Sequence, residues 1–371
     1  MAEQWHLFCR VVDNFGDIGT CWQLARTLVS HHGKAVTLWL DDLPSLAALW
    51  PGVDTANAQQ SLEGVSIRHW CDPLPLVTPG DVVIEAYGCE LPALYIESMA
   101  GHTTHWLNLE YLSAETWVAD FHLGRSPVHG LNKTFFFPGF DNHSGGLLWE
   151  PELLALSERF REPSVRKQWR QQMGIPEVAD VVTLSLFAYA NVALPILLDS
   201  LSKAPFASHL LVPEGKVSKP ISNWLGQSFV ASNSYSRGNL QLTALPFLAQ
   251  DQYDRLLAYC DFNFVRGEAS FMRTQMLGKP FLWQIYPQEE GAHYIKLNAF
   301  LERYLAGAPT ALVEPAKALH GTWNGAGGDA FRADLSPLLS TWQSHSLNWQ
   351  KKMISLGDLA SNLVLFCGLQ V

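Results

Sequence analysis

The chain has 371 residues, 48% apolar and 16% charged, with 25 Lys and Arg against 35 Asp and Glu and a net charge of -10. That balance excludes a disordered chain and counts against a sequence-independent nucleic-acid binder, which needs a basic surface; at ~150 residues per domain it predicts two domains. No apolar run reaches the ~18 residues of a membrane span, the first residues lack a basic signal segment, and the six Cys at 9, 21, 71, 89, 260 and 367 form no CxxC pair, so the expected compartment is a reducing cytoplasm.

In chain order, residues 5–12 read as an apolar strand that breaks at 13–19. A helix follows, with Trp22, Leu24, Ala25, Leu28 and Val29 on its apolar side. Residues 35–40, 65–70, 82–86 and 104–109 read as further strands, and 91–99 as a helix. Strands alternating with helices predict a parallel sheet covered on both faces. Between 139 and 175 the pattern changes: Gly145-Gly146 signals a loop, and 151–160 and 164–173 read as short polar helices of a linker region. A second alternating series then runs through strands 181–187, 210–213, 240–244, 261–265 and 280–285, with helices 251–259 and 268–277 between them. The tail 342–366 reads as helical. The predicted fold is α/β, two doubly wound domains with a cleft between them, and ligands expected beyond the carboxyl ends of the strands.

That rule singles out two segments. In the first, Asp13 and Asp17 flank a tight loop whose Gly16 and Gly19 permit close backbone approach or a positive φ. The aspartates would repel a pyrophosphate, so a dinucleotide fingerprint is disfavoured here. A carboxylate can serve as a general base or clamp a guanidinium. The competing reading makes Asp13 and Asp17 turn and helix N-cap residues, which Asp favours.

In the second segment, Arg266-Gly267-Glu268-Ala269-Ser270 follows a strand and opens a helix. Free N–H groups and the helix dipole favour an anion there. Arg266 adds charge, Gly267 allows close approach and Ser270 adds a hydroxyl, a set that fits a diphosphate. The competing reading has Glu268 and Ser270 as helix caps and Arg266 as a surface charge. Upstream, Phe247, Gln250 and Tyr253 offer aromatic and amide groups for a nucleobase, or an apolar loop and first helical turn. Phe187 and Tyr189 end a strand on the cleft side, as core aromatics or with the Tyr189 tip reaching a phosphate. The 13 His show no HxxxH or HExxH spacing, so no metal site is expected.

Several motifs together resemble one family. Val12-Asp13-Asn14-Phe15-Gly16-Asp17-Ile18-Gly19 with Cys21-Trp22-Gln23-Leu24-Ala25-Arg26 is similar to the signature of the bacterial elongation factor P arginine rhamnosyltransferases. The resemblance continues at 106–113, 136–140, 145–148, 185–189, 264–268 and 278–281 and so spans essentially the whole chain. It implies an α/β GT-B glycosyltransferase fold, two Rossmann-like doubly wound domains facing each other across a cleft, with the C-terminal helix returning to the first domain. The implied reaction is inverting transfer of rhamnose from dTDP-β-L-rhamnose to an arginine of elongation factor P, with no metal or other cofactor. That modification activates the factor for ribosomes stalled on polyproline.

It also implies roles. Asp13, Asp17 and Glu268 match the essential acidic residues. Tyr189, Arg266, Gly267 and Ser270 match the diphosphate contacts, and Phe187, Phe247, Gln250 and Tyr253 the nucleotide pocket. Asn14, Phe15, Gly16, Glu268 and Ala269 complete the expected donor-binding set. Ala269 stands where the family usually carries Asp, and Ala190 where it carries Glu. The expected division is 1–155 plus 348–371 for the acceptor protein and 156–347 for the nucleotide sugar. Other classes compatible with the residues are a GT-B enzyme with another donor or acceptor, and a non-catalytic nucleotide-sugar sensor or translation-factor binding module. The paired carboxylates favour an enzyme.

Overall fold

The computed structural model describes residues 3–11, 15–327, 331 and 336–369. The chain divides into two compact units, 1–150 with 353–371, and 151–352.

The first unit opens with β1 (Gln4–Cys9), α1 (Gly16–His32), β2 (Ala35–Leu40), α2 (Leu43–Leu49), β3 (Gln59–Leu62) and β4 (Val65–His69). It continues with β5 (Val82–Ala86), α3 (Ala93–Met99), β6 (His105–Leu109), α4 (Val118–Phe121), β7 (Arg125–Val128) and β8 (Leu131–Phe136). Among the described residues the strands form one sheet in the order β3-β4-β2-β1-β5-β6-β8-β7. β1 runs parallel between β2 and β5 and is buried from Trp5 to Cys9, as expected of a strand covered on both faces. α1 stops at Gly33, whose φ of 62° lets its own N–H reach the Val29 carbonyl at 3.1 Å and the Lys34 N–H reach that of Leu28 at 3.0 Å. Phe8 stacks on Trp39 at 5.6 Å and meets Trp70 and Tyr95 edge-on, in a core that also holds Val83 and Trp106.

The second unit runs α5 (Pro151–Arg159), α6 (Pro163–Gln172), β9 (Val182–Leu186), α7 (Leu194–Lys203), β10 (Ser208–Pro213), α8 (Ser218–Leu225), β11 (Ser234–Arg237) and β12 (Leu240–Leu245). Next come α9 (Gln250–Tyr259), β13 (Phe262–Arg266), α10 (Ala269–Met276), β14 (Phe281–Gln284), α11 (Ala292–Tyr304), α12 (Thr310–Trp323) and α13 (Ser336–Ser355), whose last residues, from Met353, fall in the first unit. Its sheet order is β11-β12-β10-β9-β13-β14, parallel except for the β11–β12 hairpin. Phe271 of α10 stacks on Trp283 of β14 at 3.8 Å, and Phe300 of α11 closes on both rings edge-on. The last helix, α14 (Leu359–Gly368), belongs to the first unit. There Asn362 Nδ2 donates to the Gly145 carbonyl and Leu359 N–H to that of Leu147.

The structure differs from the sequence reading at several points. The first strand ends at Cys9 rather than at residue 12. The tail is two helices, because Gly357 at φ 78° interrupts it between α13 and α14. The first unit ends at 150 rather than 155, and its tail begins at 353 rather than 348. α5 belongs to the second unit, where Ser157 Oγ donates to the Leu277 carbonyl at 2.8 Å. The sheets also contain hairpin strands that the alternation did not predict. β3–β4 turns at Glu63-Gly64 and β7–β8 at His129-Gly130, both pairs with positive φ. Such turns match the right-handed strand twist, but Glu and His at the first position are weak signals compared with Asn or Asp.

Candidate active site

The carboxyl ends of β9, β13 and β14 build a cationic site in the second unit. Arg266 is the last residue of β13. Its guanidinium carbon lies 4.3 Å from the Phe187 ring centre and 4.5 Å from that of Tyr189, so both rings hold it by cation–π contact. Its Nε is buried with no hydrogen-bond partner, and no carboxylate pairs with it among the described residues. A buried cationic donor left open in this way is ready for an anionic acceptor. The competing reading of Arg266 as a plain surface charge does not fit this setting.

The supports of Arg266 are local and long-range. Ser270 Oγ donates to the Arg266 carbonyl at 2.5 Å and accepts from its N–H at 3.1 Å. Its single proton is thus spent on the backbone, and in this structure Ser270 fixes the strand end rather than offering a free donor. Gly267 takes φ 59°, a conformation strained for any other residue. Its N–H donates to the Gln284 carbonyl at 3.2 Å, and its own carbonyl accepts from Trp283 Nε1 at 2.7 Å. The Tyr189 N–H donates to Gln284 Oε1 at 2.8 Å. Gln284 therefore ties the loops after β9 and β13 together. Glu268 occupies the N-cap position of α10 without a side-chain capping bond, against the capping alternative. Glu268 and Ala269 are half-buried beside Arg266.

The expected nucleobase residues sit nearby. Phe187 and Tyr253 approach at 5.2 Å between ring centres. Burial pushes the Tyr253 hydroxyl well above its usual range, with Ser270 and Arg266 drawing it back. Gln250 Nε2 donates to Asp254 Oδ1 at 2.9 Å. Phe247 is exposed on the loop before α9. Lys216 lies 5.7 Å from the Tyr189 ring centre. Gln284, Trp283 and Lys216 were not singled out by sequence reasoning. Gln284 ends a strand, so the strand-end rule could have found it.

The first unit has an acidic strand-end edge. Asp13 and Asn14 lie outside the described residues. Asp17 is in the first turn of α1 and is 3% exposed. Phe15, not an aspartate, is the N-cap and makes no side-chain capping bond. Asp17 is thus not the cap, although a carboxylate in this turn is favoured by the helix dipole. Gly16 and Gly19 belong to α1 and neither takes a positive φ, so of the two options the left-handed one is not used. A hydrogen bond with Cys21 and burial raise the Cys9 thiol, and Asp17 and Asp41 add to that rise, so these groups lie close together.

Along the same edge, past β5 and β6, sequence reasoning missed a polar cluster. Glu85 is 1% exposed, accepts from the Glu90 N–H at 2.9 Å and pairs with Lys133 at 3.1 Å. Asn108 Nδ2 donates to Glu110 Oε1 at 2.5 Å, while its Oδ1 accepts from the Gly88 N–H. Burial raises the Glu110 carboxyl, with Asn108 opposing that rise and Glu85 adding to it. Tyr87 stacks on Tyr111 at 4.1 Å. Residues 106–113 carried a family motif, and the strand end within it was the available signal.

Two doubly wound units, one ending its strands in an aromatic-held arginine, are the build of a GT-B glycosyltransferase. More specifically, the chain belongs to the elongation factor P (EF-P) rhamnosyltransferase EarP family, whose model matches residues 5–368. It is 45% identical to a protein-arginine rhamnosyltransferase of Pseudomonas putida, over 99% of both chains. It is 44% identical to the enzyme of that name from Pseudomonas aeruginosa, over 98% of both. It is also similar to a solved structure described as the structural basis for EarP-mediated arginine glycosylation of translation elongation factor EF-P, with TM-score 0.72, 33% identity and full coverage of both chains. No described helix is long and apolar enough to cross a membrane.

Proposed function

We propose that this enzyme moves L-rhamnose from dTDP-β-L-rhamnose to an arginine side chain of elongation factor P, in the cytoplasm, with inversion at the anomeric carbon and without a metal. The family match over residues 5–368 carries this reading. Arginine is a hard nucleophile, because its nitrogen lone pairs are delocalised and its pKa exceeds ~12. A base must take a proton as the new bond forms. Asp17 does this, with Asp13 shaping the loop that holds the guanidinium. One guanidinium nitrogen bonds to the sugar's anomeric carbon, the bond from that carbon to the diphosphate oxygen breaks, and the nitrogen's proton passes to Asp17.

The departing dTDP carries the negative charge. Arg266, Gly267, Tyr189 and the start of α10 receive it, with Ser270 holding Arg266 in place. Phe187, Phe247, Gln250 and Tyr253 hold the nucleoside. Asn14, Phe15, Gly16, Glu268 and Ala269 contact the donor, Glu268 at the sugar. The first unit takes the acceptor protein and the second the nucleotide sugar. Incubation with elongation factor P and dTDP-rhamnose, followed by intact-mass analysis, should show addition of one deoxyhexose. An unmodified acceptor would refute the reading.

A further inference from the structure

Gln250 opens α9 and turns one end of its amide inward. Its Nε2 donates to Asp254 Oδ1, one helical turn along. Asp254 is 6% exposed, and Arg273 of α10, 5% exposed, grips both its oxygens through Nε and Nη2. A carboxylate offers only acceptor oxygens, and the Arg273 guanidinium already donates to both of those of Asp254. Only the NH2 end of Gln250 can therefore face it. The amide orientation follows from this chemistry, and Oε1 is directed away from Asp254. Among the described residues Oε1 has no hydrogen-bond partner.

We propose that the buried Asp254–Arg273 pair is a positioning device that presents Gln250 Oε1 as a fixed acceptor to the imide N–H of a pyrimidine, selecting thymine or uracil over cytosine. This rests on the reading of the α9 start as the nucleobase pocket. Thymine and uracil carry a hydrogen on N3, whereas cytosine carries a lone pair there. A held carbonyl oxygen meets the first with a hydrogen bond and the second with lone-pair repulsion. An amide free to turn over would offer its NH2 to cytosine and its oxygen to thymine, and would separate them poorly. Asp254 and Arg273 act through Gln250 and need not touch the base. Specificity here comes from denying an alternative as much as from the contact made.

The test is calorimetric titration of the full chain with dTDP, dUDP and dCDP. The intact protein should bind dTDP and dUDP comparably, and dCDP about tenfold or more weakly, as expected when a buried polar group is left mismatched. Asp254→Leu alone would strand the Arg273 charge and could prevent folding. Asp254→Leu with Arg273→Met removes the pair as a unit, a replacement that buried ion pairs often tolerate. With its fold verified by circular dichroism, that variant should retain dTDP binding while its preference over dCDP falls below about threefold. An unchanged preference in the folded double variant overturns the positioning role. A purely structural role would weaken all three ligands together and leave their ratio intact. Gln250→Leu should also erase the preference. If it leaves dTDP affinity unchanged, or if the intact chain binds none of the three, the nucleobase-pocket reading itself falls, and the inference with it.

Discussion

The two units of this enzyme build the same kind of sheet and finish it with opposite chemistry. In the first, the residues at and just beyond the ends of β1, β5 and β6 include Asp17, Glu85 and Glu110, with Lys133 set against Glu85. In the second, the ends of β9 and β13 carry Arg266 between Phe187 and Tyr189, with Lys216 alongside Tyr189. The central strands of both sheets are alike in being almost wholly buried. What differs is the side chain at the strand end or a few residues past it, where backbone turns outward and packing no longer dictates residue type. Under the proposed function, one architecture would hold a base for a cationic acceptor in one unit and a receptor for an anionic leaving group in the other.

The sharpest way to break this contrast is to neutralise one edge. Asp17→Asn should reduce rhamnosyl transfer by ~10²–10⁴-fold, the usual weight of a general base, and leave dTDP binding intact. Intact-mass kinetics on elongation factor P would check the first effect and calorimetry the second. Normal transfer by this variant would remove Asp17 from the chemistry. Arg266→Ala acts on the opposite edge. It should weaken dTDP and dTDP-rhamnose alike by ~1.5–3 kcal/mol, the range for a charged hydrogen bond. Affinity unchanged within error would mean that the anion lies elsewhere.

Acid should treat the two units alike. Burial lowers His6 and His122 in the first and His209 and His320 in the second to about 4. Each is held neutral in the fold, while the unfolded chain protonates near 6.5. Between pH 4 and 6.5 the unfolded state therefore binds more protons. Stability should be full above pH 6.5 and fall as pH drops through that window. Urea midpoints that hold constant from pH 7 to 4.5 would contradict this. The smallest expected effect is that of excess EDTA. Under the proposed reading Arg266 and the α10 start supply the positive charge at the leaving group, so activity should stay within about twofold. Loss of activity restored by Mg²⁺ would show that the cationic edge is incomplete without an ion.

Much of this was readable from residue order. β2 and β5 fall at the expected positions, because short apolar runs were set off by turn residues such as Gly33 and Gly80. Asp17 and Arg266 were singled out by the rule that ligands meet strand ends. Family motifs spread along the chain specified the chemistry. Local pattern was less informative where it carried no distinct signal, as at the Glu63-Gly64 and His129-Gly130 hairpins.

Tertiary structure alone decided the rest. Sequence left Arg266 as either an anion receptor or a surface charge. The fold put two aromatic rings against it and left its Nε without a partner. Sequence offered Ser270 as a free donor, and the fold turned its hydroxyl onto the Arg266 backbone. Gln284, 95 residues beyond Tyr189, holds that tyrosine in register, and Asp254 and Arg273 from neighbouring helices set the Gln250 amide. Periodicity and caps are local and leave their mark in neighbouring residues. The orientation of a side chain depends on which groups close around it from distant segments, and only packing brings those together.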